Sequence, residues 1–159
     1  MVLKLYYTGP DDSYDRIYDV YNPDPEDARK IYIAKNFKYV GGFKNEPFIS
    51  GLDDTTSKLI ARIKQIDKAD IVIVNLIGAP SERVVADMLY AASRPHTHLF
   101  LFREPKISDD LFYAIRMVHS MSPIAQTLYA RNTDDVFEHL KAIADAKFEV
   151  PDHKRRGRK

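Results

Sequence analysis

Residues 71–77 are the stretch that most constrains the fold of this chain. The run from Ile71 to Ile77 is apolar and rich in β-branched side chains, with Asn75 as its one polar member. Such a run is typical of a strand that is covered by helices on both faces of a parallel sheet. Gly78 and Pro80 then end the strand, and Ser81 is placed to cap a following helix. A strand, a short loop and a helix N-terminus in this order form the place where open α/β sheets bind ligands, especially anions.

The same alternation of strand and helix extends along the chain. Apolar runs predict five strands, at 2–8, from 39, at 71–77, at 98–103 and at 126–130. Capping residues and apolar periodicity predict five helices, at 24–37, from Asp53 or Asp54, at 81–94, at 108–119 and from Thr133. In the second of these helices we expect Leu59, Ile60, Ile63 and Ile66 to form the apolar face. The order predicts a flavodoxin-like α/β fold, a doubly wound five-stranded parallel sheet with helices on both faces.

The size and composition indicate one ordinary globular domain. The chain has 159 residues and a net charge of +1, so no strong overall field attracts nucleic acid or acidic membranes. We expect the domain to span residues 1–150 and residues 151–159 to form a basic, disordered tail that makes at most weak contact with nucleic acid. Cysteine is absent and no segment has the length of a membrane span, which favours a cytoplasmic protein.

Several classes of site are not indicated. No glycine-rich dinucleotide motif follows the first strand, and no Walker lysine follows a glycine loop. His96 and His98 can share one face of a strand, but no acidic third ligand is nearby, so we expect no metal. No cofactor is expected either.

Polar residues are concentrated where the first and central strands end. Tyr6 and Gly9 close the first strand, Asn75 and Ser81 flank the end of the central strand, and Asp87 follows on the next helix. Each has a structural explanation of its own: a core aromatic, a turn, a helix cap or a surface acid. The two strands are expected to be neighbours at the switch point of the sheet, so these polar side chains should lie close together there. Their convergence predicts a binding site.

Five segments resemble the nucleoside 2-deoxyribosyltransferase family, and within it the branch of 2'-deoxynucleoside 5'-phosphate N-hydrolases. The likeness extends over most of residues 3–148, and its matching segments are residues 5–10 (LYYTGP), 69–74 (ADIVIV), 81–91, 101–105 (LFREP) and 114–116 (AIR). The resemblance implies cleavage or transfer at the N-glycosidic bond of a nucleoside or its 5'-monophosphate through a carboxylate nucleophile. It also implies a homodimer or larger assembly.

The resemblance assigns roles to individual residues. Asp87 stands where the family has its nucleophilic glutamate, and Tyr6 stands at the tyrosine that orients it. Ser81 stands where the hydrolase branch binds the phosphate. Gly9 and Asn75 are expected to line the substrate site with it.

The sequence also departs from the family pattern. Aspartate replaces glutamate at position 87, and the family's glycines around the nucleophile are Arg83, Val85 and Leu89. Arg62 replaces a family aspartate, and it either holds a phosphate or pairs with Asp87. These departures motivate an alternative, a non-catalytic nucleotide-binding or scaffold protein on the same fold.

Overall fold

The computed structural model describes residues 2–14, 17, 35–40 and 51–145. Most of the helix predicted at 24–37, most of the loop before Gly51 and the basic tail from residue 151 lie outside these ranges. The elements named below all fall within them.

Five strands form one parallel sheet. They are β1 (Leu3–Thr8), β2 (Phe37–Tyr39), β3 (Ile71–Asn75), β4 (His98–Arg103) and β5 (Gln126–Tyr129). Their order across the sheet is β2-β1-β3-β4-β5, and every neighbouring pair is parallel. This is the flavodoxin-like order, with the switch point between β1 and β3. The predicted fold class is therefore confirmed.

Four α-helices lie wholly within the described residues, together with a short 3₁₀ helix at Asp11–Ser13. The α-helices are α1 (Asp54–Lys68), α2 (Glu82–Ala92), α3 (Asp109–Met121) and α4 (Thr133–Asp145). Asp53, Ser81 and Ser108 cap the first three, because the side chain of each accepts a hydrogen bond from a backbone N–H of the first turn. None of the helices in this part of the chain is long and apolar enough to cross a membrane.

The sheet is covered on both faces. One face packs Tyr7, Ile71, Ile73, Phe100 and Phe102 against α4, whose inward side chains are Val136, Phe137, Leu140 and Ile143. The other face packs Tyr6, Val72, Val74, Leu99 and Leu101 against apolar side chains of α1, α2 and α3. Successive residues of β1 therefore point to opposite layers, which places Tyr6 with α2 and Tyr7 with α4.

Two local expectations were wrong. β2 begins at Phe37, two residues before the predicted start, since Phe37 pairs with Leu3 and is buried. The predicted apolar face of α1 is also rotated, because Leu59 is 56% exposed while Arg62 is buried. Arg62 is buried because its partner, the carboxylate of Asp87, lies beneath this helix.

Candidate active site

Asp87 lies beside the switch point of the sheet. It sits on the second turn of α2, and its carboxylate is directed towards the last residues of β1 and towards α1. The Asp87 side chain is only 8% exposed. A buried carboxylate must be hydrogen-bonded or paired to be tolerated, so its partners define the site.

Three side chains hold the Asp87 carboxylate. The Arg62 Nε donates to Oδ1 at 3.1 Å, and the Arg62 Nη2 is paired with Oδ2. The Thr8 hydroxyl donates to Oδ2 at 2.7 Å, and the Tyr6 hydroxyl donates to the same oxygen at 3.5 Å. The carboxylate is therefore oriented by two hydroxyls from one face of β1 and neutralised by a guanidinium from α1.

Arg62 is as deeply enclosed as its partner. Its side chain is 7% exposed, and its guanidinium carbon lies 6.0 Å from the centre of the Tyr6 ring. Burial lowers the pKa of Arg62, but the hydrogen bond to Asp87, the Tyr6 phenol, the charge of Asp87 and the Tyr14 hydroxyl together raise it by more, so the net effect is a raised pKa. Of the two arrangements expected for Arg62, the structure has the pair with Asp87. This geometry is the bidentate fork that arginine forms with carboxylates.

A second guanidinium lies nearer to solvent. Arg83, in the first turn of α2, is paired with Asp11 through its Nη2 and lies 5.9 Å from the centre of the Tyr14 ring. Its side chain is 34% exposed, yet its Nε is buried and has no hydrogen-bond partner among the described residues. Two cationic groups thus stand at different depths beside Tyr14.

Ser81 lies at the start of the helix that carries Asp87. Its hydroxyl accepts from the Val84 N–H at 3.4 Å, and the residue is exposed. The first N–H groups of α2 and its positive dipole end are therefore directed at the space next to Ser81. The structure thus shows Ser81 as the cap of α2, and its role in binding a phosphate stays a prediction.

Asn75 and Gly9 belong to the opposite face of the sheet. The Asn75 amide donates to the Tyr7 hydroxyl at 3.0 Å and to the Thr133 hydroxyl at 3.2 Å, and its oxygen accepts from the Ile77 N–H at 3.0 Å. A Cβ at Gly9 would come within 2.9 Å of the Asn75 Cβ, so only glycine fits there. The structure does not bring these two residues into contact with Asp87.

The phenol of Tyr7 is enclosed in the same network. Its hydroxyl lies 2.6 Å from the Ser13 hydroxyl, and its ring packs edge-on against Tyr14 at 5.5 Å. Burial raises the pKa of Tyr7 to about 12. Tyr7 is therefore a neutral core residue at physiological pH.

A cavity of about 530 Å³ opens between α2 and α3, at the carboxyl ends of β3 and β4. Its lining is mostly apolar and includes Leu76, Val85 and Leu111, with Glu104 and Lys106 at its polar side. Asp87 is not among its lining residues, because it faces α1 from the other side of α2. Within the described residues, no group of three acidic, histidine or cysteine side chains is placed to hold a metal.

Two contacts were missed in the sequence. The first is the hydrogen bond from Thr8 to Asp87. From the sequence, Thr8 was assigned only to the first strand, although the period of two along β1 puts it on the same face as Tyr6. The Arg83–Asp11 pair joins residues 72 positions apart, and no local pattern indicates it.

No protein-family model and no curated protein sequence matches this chain. Solved structures do match. The Clostridium botulinum CMP N-glycosidase BcmB has a TM-score of 0.55 and 13% identity, over 86% of this chain and 97% of that one. A conserved protein from Enterococcus faecalis V583 has a TM-score of 0.54 and 12% identity, over 90% and 99% of the two chains. At such identities the likeness shows the α/β fold.

Proposed function

We propose that this protein cleaves or transfers at the N-glycosidic bond of a nucleoside or nucleotide, with Asp87 as the nucleophile. The observation that carries the proposal is the buried Asp87 carboxylate, held by Thr8 and Tyr6 at the switch point of the sheet. Ligands of open α/β sheets bind at this point. The shared fold with a CMP N-glycosidase supports the same class of reaction.

The chemistry requires a carboxylate beside the anomeric carbon. One Asp87 oxygen would form a bond to that carbon as the carbon–nitrogen bond breaks and the base departs with the bonding electrons. Water or a second base would then take the sugar and free the carboxylate. Tyr6 and Thr8 fix the carboxylate orientation, which matters because misplacement by ~1 Å costs on the order of 100-fold in rate.

The binding roles follow from the positions of the remaining residues. Ser81 and the N-terminus of α2 suit the 5'-phosphate of a nucleotide. Asn75 and Gly9 would act by holding Tyr7 and the end of β1 in place instead of touching the sugar. No metal or organic cofactor takes part in the proposed reaction.

We also propose that the protein works in the cytoplasm as a homodimer or larger assembly. The solvent side of α3 carries four large exposed side chains, Phe112, Tyr113, Met117 and Met121. Such a cluster on one helix is typical of an interaction surface.

A non-catalytic nucleotide-binding protein on the same fold is the second candidate. The observation in its favour is the Arg62 fork, because both Asp87 oxygens accept hydrogen bonds from a guanidinium. A carboxylate so paired is a weaker nucleophile than a free one.

Base release separates the two candidates. The assay incubates the protein with the eight ribo- and deoxyribonucleoside 5'-monophosphates, CMP first, and with the matching nucleosides, and follows free base by chromatography. We expect release by the unmodified protein and a loss of at least about 10³-fold in Asp87→Asn. Asp109→Asn, an exposed acid in the first turn of α3, is the control and should keep full activity.

Each outcome has a definite meaning. An unchanged rate in Asp87→Asn would contradict the assignment of the nucleophile. No release from any compound, with and without an added acceptor base, would favour the binding protein. Sugar transfer to the added base would distinguish a transferase from a hydrolase.

A further inference from the structure

Arg62 has no role in the cleavage step proposed above, although it is in closest contact with the nucleophile. It donates from Nε and Nη2 to the two oxygens of Asp87, and both side chains are less than a tenth exposed. A carboxylate that attacks a carbon needs a free lone pair directed at it. Oδ2 accepts three of the described hydrogen bonds and Oδ1 accepts one, so a lone pair remains on Oδ1, but pairing with the Arg62 cation weakens it as a nucleophile. Loosening of the contact would therefore activate Asp87.

The charges around the pair limit what can loosen it. Two guanidinium–carboxylate pairs lie here, Arg62 with Asp87 and Arg83 with Asp11. A neutral ligand offers the guanidinium no substitute for its carboxylate. A phosphate does, because its oxygens match the arginine fork as well as a carboxylate does.

We propose that Arg62 is a specificity-determining residue that releases Asp87 only when a phosphate group of the substrate takes over its guanidinium. This inference rests on the proposed function, since it assumes that nucleotides bind at Asp87. Under this inference the 5'-phosphate, which the proposed function places at Ser81 and the N-terminus of α2, binds Arg62 instead and promotes the reaction by freeing Asp87.

Arg83 provides the route from solvent. It is a third exposed, and both it and Arg62 interact with Tyr14. Burial lowers the pKa of Arg83, but its hydrogen bond to Asp11 contributes to a net rise, so its guanidinium stays charged. An anion first attracted to Arg83 is thus brought towards Arg62.

Competition between phosphate and Asp87 has a consequence that is independent of catalysis. If both bind Arg62, removal of the Asp87 charge must strengthen phosphate binding. We expect Asp87→Asn to bind the tightest of the eight monophosphates on the order of tenfold more tightly than the unmodified protein does. Its affinity for the matching nucleoside should change less than about threefold.

The measurement is calorimetric titration with each monophosphate, its nucleoside, and the nucleoside together with inorganic phosphate. Arg62→Gln/Asp87→Asn should lose the tightening, because the guanidinium is gone. Asp135→Asn is the matched control, because it removes a carboxylate from the exposed fork with Arg131 at the start of α4 and should change affinity less than about threefold. Far-ultraviolet circular dichroism checks that every variant is folded.

Several results would overturn the inference. These are unchanged monophosphate affinity in Asp87→Asn, equal tightening for the nucleoside, or tightening that persists without Arg62. If Asp87→Asn binds inorganic phosphate more tightly but not the monophosphates, the anion at Arg62 is not the phosphate of the substrate, and the proposal fails.

A second variant covers the case in which Asp87→Asn does not fold. Arg62→Gln alone should lower the ratio of monophosphate to nucleoside affinity at least about tenfold, and an unchanged ratio contradicts the proposal. Because every readout is an affinity, failure here and failure of base release are distinguishable.

Discussion

Uncharged replacements of Arg62 and Asp87 measure how strongly the buried pair constrains the fold. We consider Arg62→Met, Asp87→Leu and the double variant. Arg62→Met leaves a buried carboxylate that still accepts hydrogen bonds from Thr8 and Tyr6. Asp87→Leu leaves the buried guanidinium and both hydroxyls without this acceptor.

The magnitude follows from burial. Removing one partner of a buried ion pair costs about 3–5 kcal/mol, because the other charge stays in a medium that solvates it poorly. We therefore expect Asp87→Leu near the upper end of this range and Arg62→Met near or below the lower end. In the double variant both charges are gone, and its free energy of unfolding should lie within about 2 kcal/mol of the original value.

Urea unfolding of the four proteins at pH 7 gives the free energies and their coupling. The exposed pair Lys58–Asp54, with N–O distance 3.0 Å and side chains 50% and 73% exposed, is the matched control. Lys58→Met should cost less than about 0.5 kcal/mol. If both single variants at the buried pair cost under 1 kcal/mol, the pair is solvated, and the burial on which its role depends is wrong.

Two further predictions concern the core and the assembly. Because the pKa of Tyr7 is about 12 in the folded protein, the unfolded chain binds fewer protons between pH 10 and 12, so stability should fall by about 2 kcal/mol across this window. Tyr7→Phe should show a smaller fall in urea unfolding at pH 9.5 and 11.5, and an equal fall would contradict the burial effect. In sedimentation velocity, Met117→Lys on α3 should dissociate the expected homodimer, whereas Leu59→Lys on α1 should not. A dimer that survives Met117→Lys excludes this face as the interface.

The fold was largely predictable because its signals are local. The β-branched run at Ile71–Asn75 indicates a strand covered on both faces, and Ser81 and Ser108 mark helix starts by side-chain chemistry within one turn. Parallel order then follows from the alternation of strands and helices. The start of β2 was missed because pairing of Phe37 with Leu3 depends on residues far apart in sequence.

The site was only partly predictable, because its contacts join residues that are far apart in the sequence. Strand-end position and resemblance brought Asp87, Tyr6 and Ser81 together as candidates, and the structure places the first two in hydrogen-bond contact. Helical periodicity assigned Leu59 to the buried face of α1, yet Arg62 is buried instead. No hydropathy pattern predicts that exchange, since it depends on a carboxylate 25 positions later.

The charge of Arg62 also restricts the chemistry available to Asp87. A departing base needs a proton or a stabilised negative charge. Arg62 cannot give up a proton near neutral pH, because its pKa is raised, and the O–H donors that the described residues direct at Asp87 are Thr8 and Tyr6. Both of these already orient the carboxylate. Arg62 can therefore pair with negative charge, as the proposed phosphate binding requires, but it cannot protonate the departing base.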